Sequence, residues 1–281
     1  MSKKLIINAD DYGICREVNH AIENLIMAGR LQNVSVLANS WFYDEAAGFL
    51  LNRPEASVGV HLNVVEGVAL TPNGKSKVLL GNHGEFANLS QILLRWTRAP
   101  FAVSKAVETE WRAQIELLLK SGLKISHADS HRHVHAFPPF WKILMKLCRE
   151  YDIAAARFPS ERNELRPRRA AAFALTQAAK ISKTLTPNRK LAVNHHFLGF
   201  KRSGSYGEAE MIGDLKNLKD GVTELCVHPS VCDKVPYPTF RGALEYEALL
   251  SAKLWEEIAE SKIELTTWTE FSKAETSEIN E

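Results

Sequence analysis

Four short segments hold the residues that could do chemistry: Asn8-Ala9-Asp10-Asp11, Gly59-Val60-His61-Leu62-Asn63, the run from His127 to His135, and Cys226-Val227-His228-Pro229. One carboxylate with two imidazoles suits a zinc-type divalent ion and leaves a position open for water. Such an ion lowers the pKa of its water and polarises a carbonyl oxygen. A second carboxylate can take the water's proton, and a histidine opposite can protonate a leaving group. Asp10 and Asp11 supply one carboxylate for each task, with the assignment left open, and His228 is available as the acid.

Taken singly, most of these signals are weak. An acidic pair after a strand is commonly a turn or a helix cap, and a lone His61 in an apolar strand is commonly a hydrogen-bonded core residue. The run from His127 to His135 is stronger, because four histidines and Asp129 within nine residues are hard to bury without a metal or a polar network. Strand geometry places His131, His133 and His135 on one side. Pro138 implies that the chain then leaves the strand, so only some of them reach one ion. His20, His83, His127, His195 and His196 are taken as structural or surface residues.

The elements that must position these residues alternate between strand and helix. Strand candidates are 5–8, 34–38, 58–62, 124–128, 153–157, 191–194, 223–227 and 263–267. Val18, Ala21, Ile22, Leu25 and Ile26 share one helical face ending at Gly29, and Val107, Trp111, Ile115 and Leu118 form another ending near Gly122. Pro138-Pro139 opens a third, with Phe140, Ile143, Leu144 and Leu147. Eight strands alternating with helices predict an α/β fold, an irregular (β/α) TIM-like barrel in a single domain. All strand C-termini then face one end, where the four segments converge. The stretch 71–89 has no clean period and reads as a long loop over one end of the fold.

Composition narrows the function classes. The 281 residues are 45% hydrophobic, enough for a full core, and 35 basic against 33 acidic side chains give a net charge of +2, too small to collect nucleic acid. The longest apolar run, Ala170 to Leu175, is far short of a membrane span, and the N-terminal stretch lacks a secretory apolar region, so a cytoplasmic protein is expected. Four scattered cysteines suit reduced, mostly core, thiols. Between residues 157 and 190, nine positive side chains face Glu161 and Glu164. The stretch is a solvated face, or a peripheral contact for an anionic or lipid-linked substrate.

These residues give the chain a family likeness. It resembles the YdjC-like carbohydrate deacetylases, which include chitooligosaccharide deacetylases and a hopanoid-associated branch. The resemblance rests on Asn8-Ala9-Asp10-Asp11-Tyr12-Gly13, Gly59-Val60-His61-Leu62, Asp129-Ser130-His131-Arg132-His133-Val134-His135 and Val227-His228-Pro229. Order and approximate spacing agree over residues 5 to about 160 and again near 223–230.

The resemblance implies one deacetylase domain over 1–281 and metal-dependent removal of acetyl from an N-acetylated sugar, either an N-acetylglucosamine oligosaccharide or a glycolipid. Carried over position by position, Asp11, His61 and His131 bind one divalent ion, zinc or magnesium. Asp10 is the general base, and His228 protonates the departing amine. Arg157 orders the base or holds substrate, and His133 and His135 are further candidates for substrate contact. A homodimer is a reasonable expectation from the same source. Arg132 between the first two histidines and Ser230 after His-Pro depart from the family pattern. The basic insert at about 160–220 matches loosely, so chitooligosaccharide specificity does not follow.

Two other readings compete. A phosphoesterase or amidohydrolase on a similar barrel would usually place His-x-His after the first strand and gather two or three metals. Here the first strand ends in Asp-Asp. A non-catalytic sugar- or lipid-binding protein would leave a complete Asp/His set without use.

Overall fold

The structure, a computed structural model, describes residues 2–71, 74, 76–81, 83–161, 170–185, 191–203, 205–233 and 241–280. Side chains are described throughout these except at 170–173, 185 and 278–280. Much of the basic segment, including Arg162, Arg166, Arg168, Arg169, Arg189 and Lys190, lies outside the described residues.

The Leu-Ile-Ile run nucleates β1 (Lys3–Tyr12), which is followed by α1 (Arg16–Met27), β2 (Asn33–Val36), α2 (Tyr43–Leu50) and β3 (Ser57–Leu62). A loop and two helices, α3 (Leu89–Arg98) and α4 (Pro100–Lys120), lead to β4 (Ile125–Ser130), α5 (Pro138–Glu150) and β5 (Ala155–Ala156). The rest comprises α6 (Ala170–Leu185), β6 (Ala192–Val193), β7 (His196–Leu198), α7 (Glu208–Lys216), β8 (Gly221–Val227), α8 (Gly242–Leu250), α9 (Ala252–Glu260), β9 (Glu264–Leu265) and α10 (Trp268–Asn280). All eight expected strands are present. The short β7, next to β6, has no periodic signature of its own.

Strand order is β6-β5-β4-β3-β2-β1-β8-β7, with β9 beside β1, and every ladder between described strands is parallel. The two end strands are separated by only Asn194 and His195 in the chain. That short link forces the sheet to curl into a TIM-like α/β half-barrel. α1 packs its Val18, Ala21, Ile22, Leu25 and Ile26 face inward and stops at Ala28 and Gly29, whose φ of +66° suits a residue without Cβ.

Because strand residues alternate, one face of each strand looks into the barrel. Trp268 and Phe271 of α10 plug the interior against Ile6, Ala155, Ala192 and Val222. Above them lies a polar layer in which His127 stacks on Trp268, with ring centroids 4.9 Å apart, and its Nε2 meets Ser35 Oγ at 3.1 Å. Gly59 is required here, because a Cβ would lie 2.3 Å from His127 Nε2. The next inward layer holds Asp10, His61, Asp129, Arg157 and Cys226. The loop after β3 is pinned to α4, where Glu110 accepts from Leu70 N and Thr71 N at 2.8 and 3.0 Å and Gln114 accepts from Asn63 N at 2.8 Å.

Candidate active site

β1 and β2 stay in register at Asn8↔Asn33 and Ala9↔Val34 but slip before Tyr12 meets Val36, and within this bulge Asp11 has a φ of +62°. Adjacent strand residues normally point to opposite faces. The left-handed Asp11 breaks that rule and turns its carboxylate into the site beside Asp10. Gly13, with φ +105°, completes the turn where a Cβ would come within 2.8 Å of Ser40 Oγ.

Asp11 Oδ1 lies 3.2 Å from His61 Nε2 and 2.7 Å from His131 Nδ1, and all three residues are buried. The other nitrogen of each imidazole meets a further carboxylate: His61 Nδ1 is 2.8 Å from Asp129 Oδ1, and His131 Nε2 is 3.1 Å from Glu66 Oε2. Burial disfavours charge on both rings, but Asp129 and Asp10 push His61 up to about 10, and Asp11 raises His131. Burial likewise opposes ionisation of Asp11, yet His131 and His61 hold it well below the usual carboxylate range. One carboxylate and two imidazoles, each imidazole backed by an outer carboxylate, is how proteins hold a divalent cation. Asp11, His61 and His131 fit such an ion.

Asp10 lies on the other side of His61, with Oδ2 4.0 Å from Nε2. Arg157 grips both its oxygens, Nη1 to Oδ2 and Nη2 to Oδ1 at 2.6 Å each. Asn8 Nδ2 donates to Oδ1 at 2.8 Å, and the Cys226 thiol donates to Oδ2 at 3.2 Å. Burial would raise the Asp10 carboxyl, but the guanidinium holds it down to about 2. Arg157 also reaches Asp129 Oδ2 at 2.8 Å and Glu224 Oε1 at 2.7 Å. Burial pushes Glu224 up to about 7 despite that arginine.

His228 follows β8, and its backbone N–H donates to Glu245 Oε2 of α8 at 2.6 Å. Asp10, Cys226 and His228 offer ligand-type atoms that all lie within 4.8 Å of one another. Thus the structure brings Asp10, Asp11, His61, His131, Arg157 and His228 together from five distant stretches of chain.

The shared-side arrangement expected for His131, His133 and His135 does not form. β4 ends at Ser130, and residues His131–Ala136 coil in a 3-10 turn with Arg132 and His133 left-handed, at φ +54° and +52°. Strand alternation stops applying there, and only His131 joins Asp11. His133 packs against Phe197 and Phe200, with ring centroids 5.4 Å away in each case. His135 is fully buried, donating Nε2–H to the Arg157 carbonyl at 3.1 Å and accepting at Nδ1 from Ser130 Oγ at 2.6 Å. Both ring nitrogens are taken up in bracing the turn. Arg157 is likewise fully buried, with both its Nη atoms turned to Asp10.

Sequence reasoning placed Asn8, Asp129 and Cys226 inside the segments that could do chemistry without giving them a role, and left out Glu66, Glu224 and Glu245. A signal for Glu224 was present, because it shares one face of β8 with Cys226 at period two. Glu66 carried none.

A curled parallel barrel with an acid and imidazole centre at its strand C-termini defines the class. Residues 4–260 match the YdjC-like protein family, and the chain belongs to that family. A carbohydrate deacetylase of Brevibacillus brevis is 28% identical over 272 residues, covering 95% of this chain and 99% of that protein. One from Halalkalibacterium halodurans is 35% identical over 150 residues, 53% of this chain and 62% of that protein, so that match spans under two thirds of its relative. A crystal structure from Enterococcus faecalis V583, described as a candidate cellobiose-phosphate cleavage protein, shares the fold with a TM-score of 0.74 at 23% identity, covering 96% and 99% of the two chains. No described helix is long and apolar enough to cross a membrane.

Proposed function

We propose that the protein removes the acetyl group from an N-acetylated sugar, with a divalent ion held by Asp11, His61 and His131. The observation that carries this reading is the pairing of a ligand set, Asp11 Oδ1 within 3.2 Å of His61 Nε2 and 2.7 Å of His131 Nδ1, with a separate carboxylate, Asp10, locked by Arg157 beside it. A divalent ion supplies Lewis acidity to the acyl oxygen and the attacking water.

The chain's own residues do the rest. Arg157 keeps Asp10 ionised and aimed. Four donors surround its two oxygens, and the thiol of Cys226 is the weakest of them, so water enters by displacing that contact and gives its proton to Oδ2. His228, held by Glu245, delivers a proton to the amine nitrogen as the carbon–nitrogen bond breaks. We assign sugar contact to His133, whose Nδ1 has no hydrogen-bond partner among the described residues and whose ring lies against half-buried Phe200. The names of the curated relatives support the sugar and the acetyl group.

Acetate release from a panel running from N-acetylglucosamine through chitobiose to lipid-linked forms tests the reading, with chelated and metal-restored protein compared. Release on at least one member, lost on chelation and restored by metal, is expected. No release from any member by protein holding its full metal complement would overturn it.

A further inference from the structure

Beside the Asp11 ligand set, β1, β8 and the residue after β8 bring a different group of donors together. The Cys226 sulfur, the Asp10 carboxylate and a His228 ring nitrogen all lie within 4.8 Å of one another, and the first two residues are buried. Sulfur, oxygen and nitrogen donors in one cluster suit a soft or borderline divalent cation, whereas hard cations such as magnesium take oxygen alone.

Three observations favour a cation here. The Cys226 Sγ to Asp10 Oδ2 separation is 3.2 Å, against about 3.5 Å between sulfur and oxygen ligands around a tetrahedral zinc ion. The two atoms need part by only about 0.3 Å to hold a cation in place of the thiol hydrogen. Next, Glu224 Oε2, two residues along the same strand face, is fully buried with no hydrogen-bond partner among the described residues. Burial, with the Asp10 carboxylate beside it, holds the Cys226 thiol well above its usual range, so the sulfur keeps its proton until a cation displaces it. Last, Asp10, Asp129 and Glu224 all crowd onto the single guanidinium of Arg157, so Asp10 faces the cluster as an anionic, ligand-ready oxygen.

We propose that Asp10, Cys226 and His228 form a second, thiophilic cation site, and that a zinc- or cadmium-class ion filling it switches the enzyme off. On binding, the Sγ–H bond breaks, its proton leaves to solvent, and Sγ and Oδ2 both bond the cation. Loss of turnover rests on the roles proposed above, since the ion takes base and acid at once. The binding site itself rests on the geometry alone.

Cadmium chloride titrated into enzyme already loaded with its own metal tests both parts. The first readout is the ultraviolet charge-transfer band of a cadmium–thiolate bond, which an ion bound by Asp11, His61 and His131 cannot produce. The band is expected to saturate at one thiolate per chain in the native protein and in Cys232→Ser, and to vanish in Cys226→Ala and Cys226→Ser. The second is acetate release, with each variant normalised to its own cadmium-free rate; Cys226→Ala should need at least about tenfold more cadmium for half inhibition. A band that survives both Cys226 substitutions, or no band in the native protein, overturns the site. If the site binds and turnover persists, the switch is overturned and the site stands. If no substrate yields acetate, the deacetylase reading fails and the absorbance still decides the site.

Discussion

At the scale of single residues, the site separates into two groups that share a border. Asp11, His61 and His131 face one another, while Asp10 is turned toward Arg157 and away from the imidazoles, only 4.0 Å from His61 at its nearest. In the proposed function this division gives each aspartate a task that the order Asp-Asp in the chain does not reveal. His228 lies with the second group, and in the proposed function its removal acts on chemistry without touching Asp11, His61 or His131. His228→Ala is expected to lower kcat by on the order of 10²- to 10⁴-fold, the usual worth of a positioned general acid, while metal content stays at the native level. Steady-state kinetics with elemental analysis of the same preparation checks it. A fall in metal content parallel to the fall in kcat would place His228 among the ligands.

At the scale of elements, the strand ends do the positioning and the irregular turns do the selecting. A sharp local requirement is at Gly59 of β3, where the ring of His127 crosses close to the backbone. Gly59→Ala is expected to destabilise the fold by about 1–3 kcal/mol, the usual cost of overpacking, read by chemical denaturation. Unchanged stability would mean that the ring moves aside at no cost. Most of this scale was legible in the sequence: the face from Val18 to Ile26 became α1, the stripe from Val107 to Leu118 became α4, and Pro138-Pro139 opened α5. Period-two and period-3.6 patterns survive folding because burial imposes them. The left-handed backbone at Asp11, Arg132 and His133 was not legible, since those conformations are held by surrounding contacts and not by the preferences of the residues themselves. For that reason both aspartates enter the site and only one of His131, His133 and His135 joins them. Glu66 was hidden for a related cause, because its place depends on a loop pinned from α4 by Glu110 and Gln114.

At the scale of the whole molecule, a parallel sheet curled around buried charge makes stability depend on pH. Glu224 has its carboxyl raised from an ordinary 4.5 to about 7. The folded protein therefore binds a proton there that the unfolded chain has already lost, so this contribution is full below about 4.5 and disappears as pH rises through 7. Buried His127 and His135, lowered to about 3, act with the opposite sign between 3 and 6.5. The difference between proteins isolates the glutamate: relative to Glu224→Gln, metal-free native protein should lose unfolding free energy steadily from pH 4.5 to 7. A difference that stays flat across that window would show Glu224 ionised throughout. The central claim joins these scales, for it gives the neighbouring aspartates separate duties at the focus of the barrel. Bound metal and acetate release, measured together on Asp10→Asn and Asp11→Asn, test it most directly. Asp10→Asn should keep its ion and lose nearly all turnover, and Asp11→Asn should lose both. Full turnover in Asp10→Asn, or an ion retained by Asp11→Asn and lost by Asp10→Asn, would contradict the account.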